Sequence, residues 1–507
     1  MKPNIVSAKE AAEMITDNST ITICGCNQYV VPEAILTALE KRFLETGKPN
    51  NLVDFHTVGV GRAPGAGLDH LAHEGLIRKT IGSSWDAAKL TKMIEEGKIE
   101  GHQLPMGVTY QLLRTLANGS KGYLTKVGLS VFPDPRVEGT ALNEKTENNM
   151  VEIVEVDGEE YLFYKATPID FAIIRGTTAD TEGNISMEKE VLSLGIVAQA
   201  LATKASGGKV IVQVERIAEA GTIPTRLVEI PGMLVDAVVV DPEQRQLLTH
   251  DGYDPSFAGE IKSPVPEISK VPKEKPARYI LKRAAKEMEG YKVVNLGAGM
   301  PREMPRISYE EGTENEHIFT VEHGALGGVN PGGLFFALQH NPRMLIDSPS
   351  LFDLYDAGFL DISYLGFAEI DKEGNVNVSK FGGRVQGCGG FVDITYKTRK
   401  IVFCGTFTAG GLNASFVEDK VTINQEGKHQ KFVDQVEQIT FSAKNAIEKG
   451  QEIYYVTERC VFQLTNKGFE LIEIAPGISV EEDILPHMRF KPIISEQLKT
   501  IDSCIYR

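Results

Sequence analysis

The chain has 507 residues, 42% of them apolar, and its 69 acidic against 53 basic side chains give a formal net charge of -16. That length exceeds what one hydrophobic core serves, so two or more globular domains are expected, and the acidic balance argues against nucleic acid as a partner. No basic apolar leader opens the sequence and no apolar run approaches the roughly 18 residues of a membrane helix, so a cytoplasmic protein without a membrane partner is expected.

In chain order, AKEAAEMI (8 to 15) has the spacing of an amphipathic helix and TITICG (20 to 25) that of a buried strand ending in glycine,. A strand beginning at Asp170 and the β-branched run IVQV (211 to 214) continue an alternation that predicts α/β layers with largely buried strands,. Between Asp254 and Ala277, five prolines (Pro255, Pro264, Pro266, Pro272 and Pro276) interrupt a stretch rich in lysine and glutamate that cannot sustain a helix or a central strand,. The expected organisation is therefore an N-terminal domain over 1–254, a proline-rich linker over 255–276 and a C-terminal domain over 277–507. Beyond the linker, YILKRAAKEM (279 to 288) reads as a helix and KVVNL (292 to 296) as a strand,.

The two halves are partial copies of one another. DFAIIRGTTADTEGNISM from Asp170 aligns with DISYLGFAEIDKEGNVNV from Asp361, so that Asp180, Gly183 and Asn184 fall on Asp371, Gly374 and Asn375,. The same offset carries KVIVQV (209 to 214) onto KIVFCG (400 to 405) without a gap. Each copy predicts a buried strand, a tight Gly-Asn turn, a second strand or helix, and another buried strand. TITICG and KVVNLG (292 to 297) echo each other at a different offset, so the first half carries extra residues.

Three segments of the second half are candidates for chemistry. VVNLGAGMP (293 to 301) ends a strand in a glycine turn through Gly297 and Gly299 that a phosphate or thiol arm can approach closely,. HIFTVEHGALGGVNPGG (317 to 333) begins as a strand, reaches Glu322, and passes into glycines at 324, 327, 328, 332 and 333,. GGRVQGCGGFVDI (382 to 394) sets Gly387, Gly389 and Gly390 before an apolar stretch read as the start of a strand, and consecutive glycines leave N–H groups free to converge on an oxyanion,. The plainer readings are a solvated glutamate at a strand end and glycines that only make loops.

Other chemistries find less support. Arg302 in GAGMPR and Pro64 in GVGRAPG stand where the third glycine of a dinucleotide fingerprint belongs, and no Walker A sequence occurs,. The ten histidines show no metal-ligand spacing, so no metal is expected,. Six scattered cysteines read as reduced core or near-site thiols, and Cys388 lacks an identifiable histidine partner that would make it a nucleophile,.

In this order, the three segments resemble the class I coenzyme A transferases, in particular the single-chain acetate or propionate branch. LPMGVTYQLLR (104 to 114), TKVGLSVFPDPR (125 to 136) and IPGMLVD (230 to 236) extend the likeness into the first half. The resemblance implies two related Rossmann-like α/β domains, layered as in ribose-phosphate isomerase relatives. It also implies Glu322 as a nucleophile that forms a thioester with coenzyme A, Gly389 and Gly390 as oxyanion-hole donors, and Gly297, Gly299, Gly387 and Gly389 near bound coenzyme A.

Acyl-CoA and a short carboxylic acid would be the substrates, with no permanently bound cofactor, in a homotetramer or other homo-oligomer. Many relatives have Leu-Pro-Gln-Gly where this chain has Leu104, Pro105, Met106 and Gly107. A thioether cannot donate a hydrogen bond, so either backbone groups suffice, Gln103 takes over as donor, or the acyl pocket is reshaped, with Met106 and His323 as the candidates for that; the plain reading of Met106 is core filling. An acyl-CoA hydrolase on the same scaffold and a non-catalytic metabolite-binding protein are the competing functions.

Overall fold

A computed structural model describes residues 3–264, 275–331 and 335–506. The amphipathic stretch after Ser7 is the Ala8–Met14 helix. It opens with a capping box in which the Ser7 N–H donates to Glu10 Oε2 at 2.8 Å and the Glu10 N–H donates to Ser7 Oγ at 3.2 Å,. The β-branched runs are buried strands, as expected of parallel sheets covered on both faces. The chain divides into two units, one of Met1–Ser263 with Met344–Phe352 and Gly383–Asp393, the other of Pro264–Arg343, Asp353–Gly382 and Ile394–Arg507.

The first unit is built on a parallel sheet in the order Asn4–Val6, Ala237–Val240, Lys209–Val214, Phe171–Arg175, Thr20–Ile23, Leu52–Phe55, Ile77–Gly82, Glu100–Gln103. From Thr20–Ile23 the chain first adds strands on one side and then, from Phe171, on the other. In the second unit the order is Ala325–Leu326, Ile318–Thr320, Val293–Leu296, Ile362–Leu365, Lys400–Cys404, Glu452–Val456, and then Cys460–Thr465, Gly468–Ile474 and Ile493–Thr500. Here the direction of growth reverses about Val293–Leu296. Such a reversal leaves a crevice at the carboxyl ends of the strands, where α/β sheets bind ligands.

The internal repeat is exact down to its hydrogen bonds. Asp180 Oδ1 accepts from the N–H groups of Glu182 and Asn184 at 2.9 and 3.0 Å, and Asn184 Nδ2 donates to Asp180 Oδ2 at 2.9 Å. Asp371 Oδ1 accepts from Glu373 and Asn375 at 3.1 and 2.9 Å, and Asn375 Nδ2 donates to Asp371 Oδ2 at 3.0 Å. Both turns close on a left-handed glycine, Gly183 at φ +87° and Gly374 at φ +91°,.

Two sequence expectations need comment. The apolar stretch after the glycine run is not a strand but the Phe391–Lys397 helix; a short apolar run has no periodicity that separates the two, and the strand that follows is Lys400–Cys404. Of the expected linker, 265–274 lie outside the described residues, as do Gly332 and Gly333. Pro276 stands in the first turn of the Pro276–Ala285 helix, where its missing N–H costs nothing,.

The second unit contains a fully buried arginine whose charge is met on every side. Arg459 Nε donates to Glu458 Oε1 at 2.7 Å, and its Nη1 donates to Glu426 Oε1 at 2.6 Å and to the Asp483 carbonyl at 2.7 Å. Arg459→Met would take the hydrogen-bonded cation from Glu458 Oε1 and leave the buried carboxylate, among the described residues, only the Phe407 N–H on Oε2 as a hydrogen-bond donor, and a loss of about 3–5 kcal/mol in unfolding free energy is expected by urea denaturation.

Candidate active site

Glu322 lies at the carboxyl end of the Ile318–Thr320 strand, in a hairpin turn to Ala325–Leu326. Thr320 pairs with Leu326 across the hairpin; the Gly324 N–H donates to the Val321 carbonyl at 3.3 Å and the Gly327 N–H to the Phe319 carbonyl at 2.7 Å. Glu322 and His323 therefore occupy the two central positions of a β-turn. Ile318–Thr320 runs parallel to Val293–Leu296, with Asn295 opposite Thr320, so the turn and the glycine bend at Gly297 and Gly299 project from neighbouring strands at the crevice edge. Glu322 is only 9% exposed. A carboxylate so placed is an unusual surface residue and a natural reacting group.

The neighbourhood of Glu322 includes a phenol. The Tyr355 hydroxyl, on the Ser348–Asp356 helix, lies 2.9 Å from Thr320 Oγ1 and accepts from Asn295 Nδ2 at 3.3 Å. Burial pushes the Tyr355 phenol well above its usual range; hydrogen bonds to Thr320 and Asn295 oppose this and the Glu322 charge adds to it. Tyr355 is thus a neutral hydroxyl within the field of Glu322. No motif in the sequence pointed to it, because it reaches the strand ends from a helix 33 residues further on. Tyr355→Phe is expected to lower kcat by about tenfold, since a hydrogen bond in such a network is worth about 1–3 kcal/mol, with little change in the KM for acyl-CoA in steady-state assays.

His323 is buried, edge-on to Phe336 at 5.4 Å, and burial pushes its pKa down to about 3. It is a neutral ring at working pH, and shape is what it offers a pocket. Gly299 has φ +84° and ψ -134°, a conformation that disfavours side chains,. The Gly297 N–H donates to the Tyr364 carbonyl at 2.8 Å, and a Cβ there would lie 2.9 Å from Leu365 Cδ2.

The glycine run belongs to the first unit, along the ends of the Ile77–Gly82 and Glu100–Gln103 strands. Gly387 forms an antiparallel bridge with Ser84. The Gly389 N–H donates to the Ser83 carbonyl at 3.0 Å, and the Gly389 carbonyl accepts from the Met106 N–H at 3.0 Å. The Gly389 N–H, expected as an oxyanion donor, is therefore engaged by backbone. Among the described residues none accepts from the buried Gly390 N–H.

Gln103 ends its strand fully buried and donates its N–H to the Thr140 carbonyl at 2.8 Å. Met106 is the first residue of the Met106–Ala117 helix, also fully buried. The next residue, Gly107, donates its N–H to Asp393 Oδ2 at 3.0 Å, and a Cβ there would lie 2.5 Å from Asp393 Oδ1. Cys388 is buried, and its thiol donates to the Leu104 carbonyl at 3.5 Å.

Among the described residues no three His, Cys, Asp or Glu side chains converge to hold a metal, and no helix is long and apolar enough to cross a membrane. Within the second unit, Glu322 offers a carboxylate, with the Tyr355 phenol and the Asn295 amide beside the strand that carries it, a set suited to acyl transfer between nucleophiles.

Comparison with known proteins agrees with this chemistry. A coenzyme A transferase family profile matches residues 5–241. Caffeate CoA-transferase of Acetobacterium woodii is 42% identical over 514 residues, covering 99% of this chain and 97% of that protein. Acetate CoA-transferase YdiF of Escherichia coli K12 is 38% identical over 504 residues, covering 99% of this chain and 95% of the relative. The crystal structure of acyl-CoA transferase YdiF from E. coli O157:H7 as a thioester complex with CoA has a TM-score of 0.94 at 37% identity, covering 100% of this chain and 96% of that one. The chain therefore belongs to the coenzyme A transferase family and is a CoA-transferase.

Proposed function

We propose that the protein moves CoA from an acyl-CoA to a short carboxylic acid in two half-reactions that pass through Glu322. A Glu322 oxygen attacks the thioester carbonyl and expels CoA thiolate, leaving an acyl-glutamyl anhydride. The thiolate attacks the Glu322 carbonyl of that anhydride and releases the first acid as its carboxylate, leaving glutamyl-CoA. The incoming carboxylate attacks the glutamyl thioester, re-forms an anhydride and expels thiolate. Attack of the thiolate on the new acyl carbonyl then releases acyl-CoA and restores the Glu322 carboxylate. Protons and electron pairs balance at every step, so the sequence needs neither a general base nor a redox partner.

The observation that carries this reading is the nearly buried Glu322 carboxylate in its hairpin turn at the strand ends, together with a similar protein whose structure is a thioester complex with CoA. Each tetrahedral intermediate bears an oxyanion, for which the Gly390 N–H is the assigned donor; such a donor is worth about 3 kcal/mol. Acetate and caffeate are the acids named by two relatives, and for this chain an acid of that monocarboxylic class is proposed, with Met106 and His323 shaping its pocket.

The test is to incubate the pure protein with acetyl-CoA or propionyl-CoA and no acceptor, digest it, and seek CoA on the Glu322 peptide by mass spectrometry. An adduct that Glu322→Ala abolishes is expected. Steady hydrolysis of acyl-CoA without adduct would instead favour a hydrolase.

A further inference from the structure

At the ends of the Leu52–Phe55 and Ile77–Gly82 strands lies a polar network that the reaction steps leave unused. Asp54 Oδ2 is 2.6 Å from His56 Nδ1 and accepts from Thr80 Oγ1 at 2.7 Å; Trp85 Nε1 donates to Thr80 Oγ1 at 3.2 Å. On its other side His56 Nε2 is 3.0 Å from the Ser84 carbonyl. A carboxylate and a carbonyl both only accept, so the ring must carry both protons to serve both. Burial opposes that charge, but the Asp54 carboxylate, the Ser84 carbonyl and the Asp86 charge outweigh it and raise the pKa of His56. Asp54, His56 and Thr80 are fully buried, and the ring lies where a side chain at residue 82 would stand: a Cβ on Gly82 would be 2.2 Å from His56 Nε2.

The peptide that His56 grips is the one to which the glycine run is fastened. Ser83 accepts from the Gly389 N–H, the Trp85 N–H donates to the Gln386 carbonyl at 3.5 Å, and Ser84 bridges Gly387. The contact is backbone on backbone, since a Cβ on Gly387 would lie 2.3 Å from Ser84 Cα. A buried ion pair is a costly way to hold a loop unless its position matters.

We infer that Asp54 and His56 are positioning residues for transfer: the Nε2–H of His56 fixes the Ser84 peptide, and through it the Gly387–Gly390 run and the Gly390 N–H. This rests on the assignment of Gly390 as the oxyanion donor. The ring is fully buried, so its effect falls on the rate of the chemical step rather than on binding.

Two near-isosteric variants separate the two ring nitrogens. His56→Gln can place an amide N–H near Nε2 and keep the bond to Ser84, whereas His56→Asn keeps a donor only on the Asp54 side. With melting temperatures measured alongside, His56→Asn is expected to lower kcat by about tenfold or more, as a displaced catalytic group does, with the KM for acyl-CoA little changed. His56→Gln is expected to stay within about threefold of wild type. Equal losses in both variants, or no loss in His56→Asn, would overturn the inference.

Asp54→Asn is the second variant should the histidine changes unfold the protein: with its carbonyl oxygen held toward Thr80 Oγ1 it accepts from the Nδ1–H, the ring without its counter-charge keeps no proton on Nε2 for the Ser84 carbonyl, and kcat should fall, so that an unchanged kcat there would also overturn the inference,. The CoA adduct on Glu322 of the wild type separates the two levels of the argument. With the adduct present and kcat unmoved by these changes, only the positioning role fails, whereas without the adduct both readings fall.

Discussion

Replacing Glu322 by glutamine is expected to lower kcat for CoA transfer by at least about 10^4-fold, as loss of a covalent nucleophile does in other acyl-transfer enzymes. The amide keeps the size and most of the packing of the carboxylate, so the hairpin bonds at Phe319, Val321 and Gly327 persist and the fold should be retained. What disappears is the anionic oxygen that attacks the thioester, and no other carboxylate of the Ile318–Thr320 hairpin turn can replace it. Acyl-CoA should still bind, so its dissociation constant, measured by calorimetry or competition, should change by less than about tenfold. A variant that lost binding as well as turnover would point to a damaged pocket rather than a missing nucleophile.

The second large effect is expected at Gly387. Its φ is +88°, and an added Cβ would stand 2.3 Å from Ser84 Cα and 2.5 Å from the Ser83 carbonyl oxygen. Both obstacles are backbone, which cannot swing away as a side chain can. Gly387→Ala therefore has to break the bridge to Ser84 and carry Gly389 and Gly390 with it. A fall in kcat/KM of at least about 10^2-fold is expected, since displacement of a catalytic group by 1 Å has that consequence, accompanied by a lower melting temperature. Gly383→Ala is the control: Gly383 is also left-handed, at φ +74°, but its Cβ would point into open space. That variant should show only the strain of an alanine in the left-handed region, about 1–2 kcal/mol, and near-normal activity.

The architecture was legible in the sequence where burial writes a strong pattern. TITICG and KVVNLG become the central strands Thr20–Ile23 and Val293–Leu296, and the repeat anticipated the matching turns at Asp180 and Asp371. The strand expected after the glycine run was misread from a short apolar run, although the repeat held the answer. Phe391–Lys397 falls on residues 200–206 of the first half, most of which lie in the Ile196–Ala205 helix. The carboxylate at Glu322 stood out because glycines follow it at once.

Side chains that come together from distant segments left no such mark. Tyr355 and Asn295 meet through strand pairing and a helix approach, neither of which has a local spacing. His56 was likewise silent, because a histidine two residues after an aspartate is common and its meaning depends on the loop folded over it. The engagement of the Gly389 N–H by Ser83 was also unreadable, since a run of glycines says that backbone can come close but not which N–H is already taken.

The most direct test of covalent transfer through Glu322 uses an acceptor acid with heavy oxygen in its carboxylate. In the proposed sequence the bridging oxygen of the second anhydride comes from that acid and stays on Glu322 when CoA thiolate takes the acyl group. After turnover with acyl-CoA and labelled acetate, the Glu322 peptide is predicted to carry heavy oxygen, and the Glu322→Gln protein none. Full transfer of CoA with no label on the wild-type Glu322 peptide would contradict a covalent route through this residue.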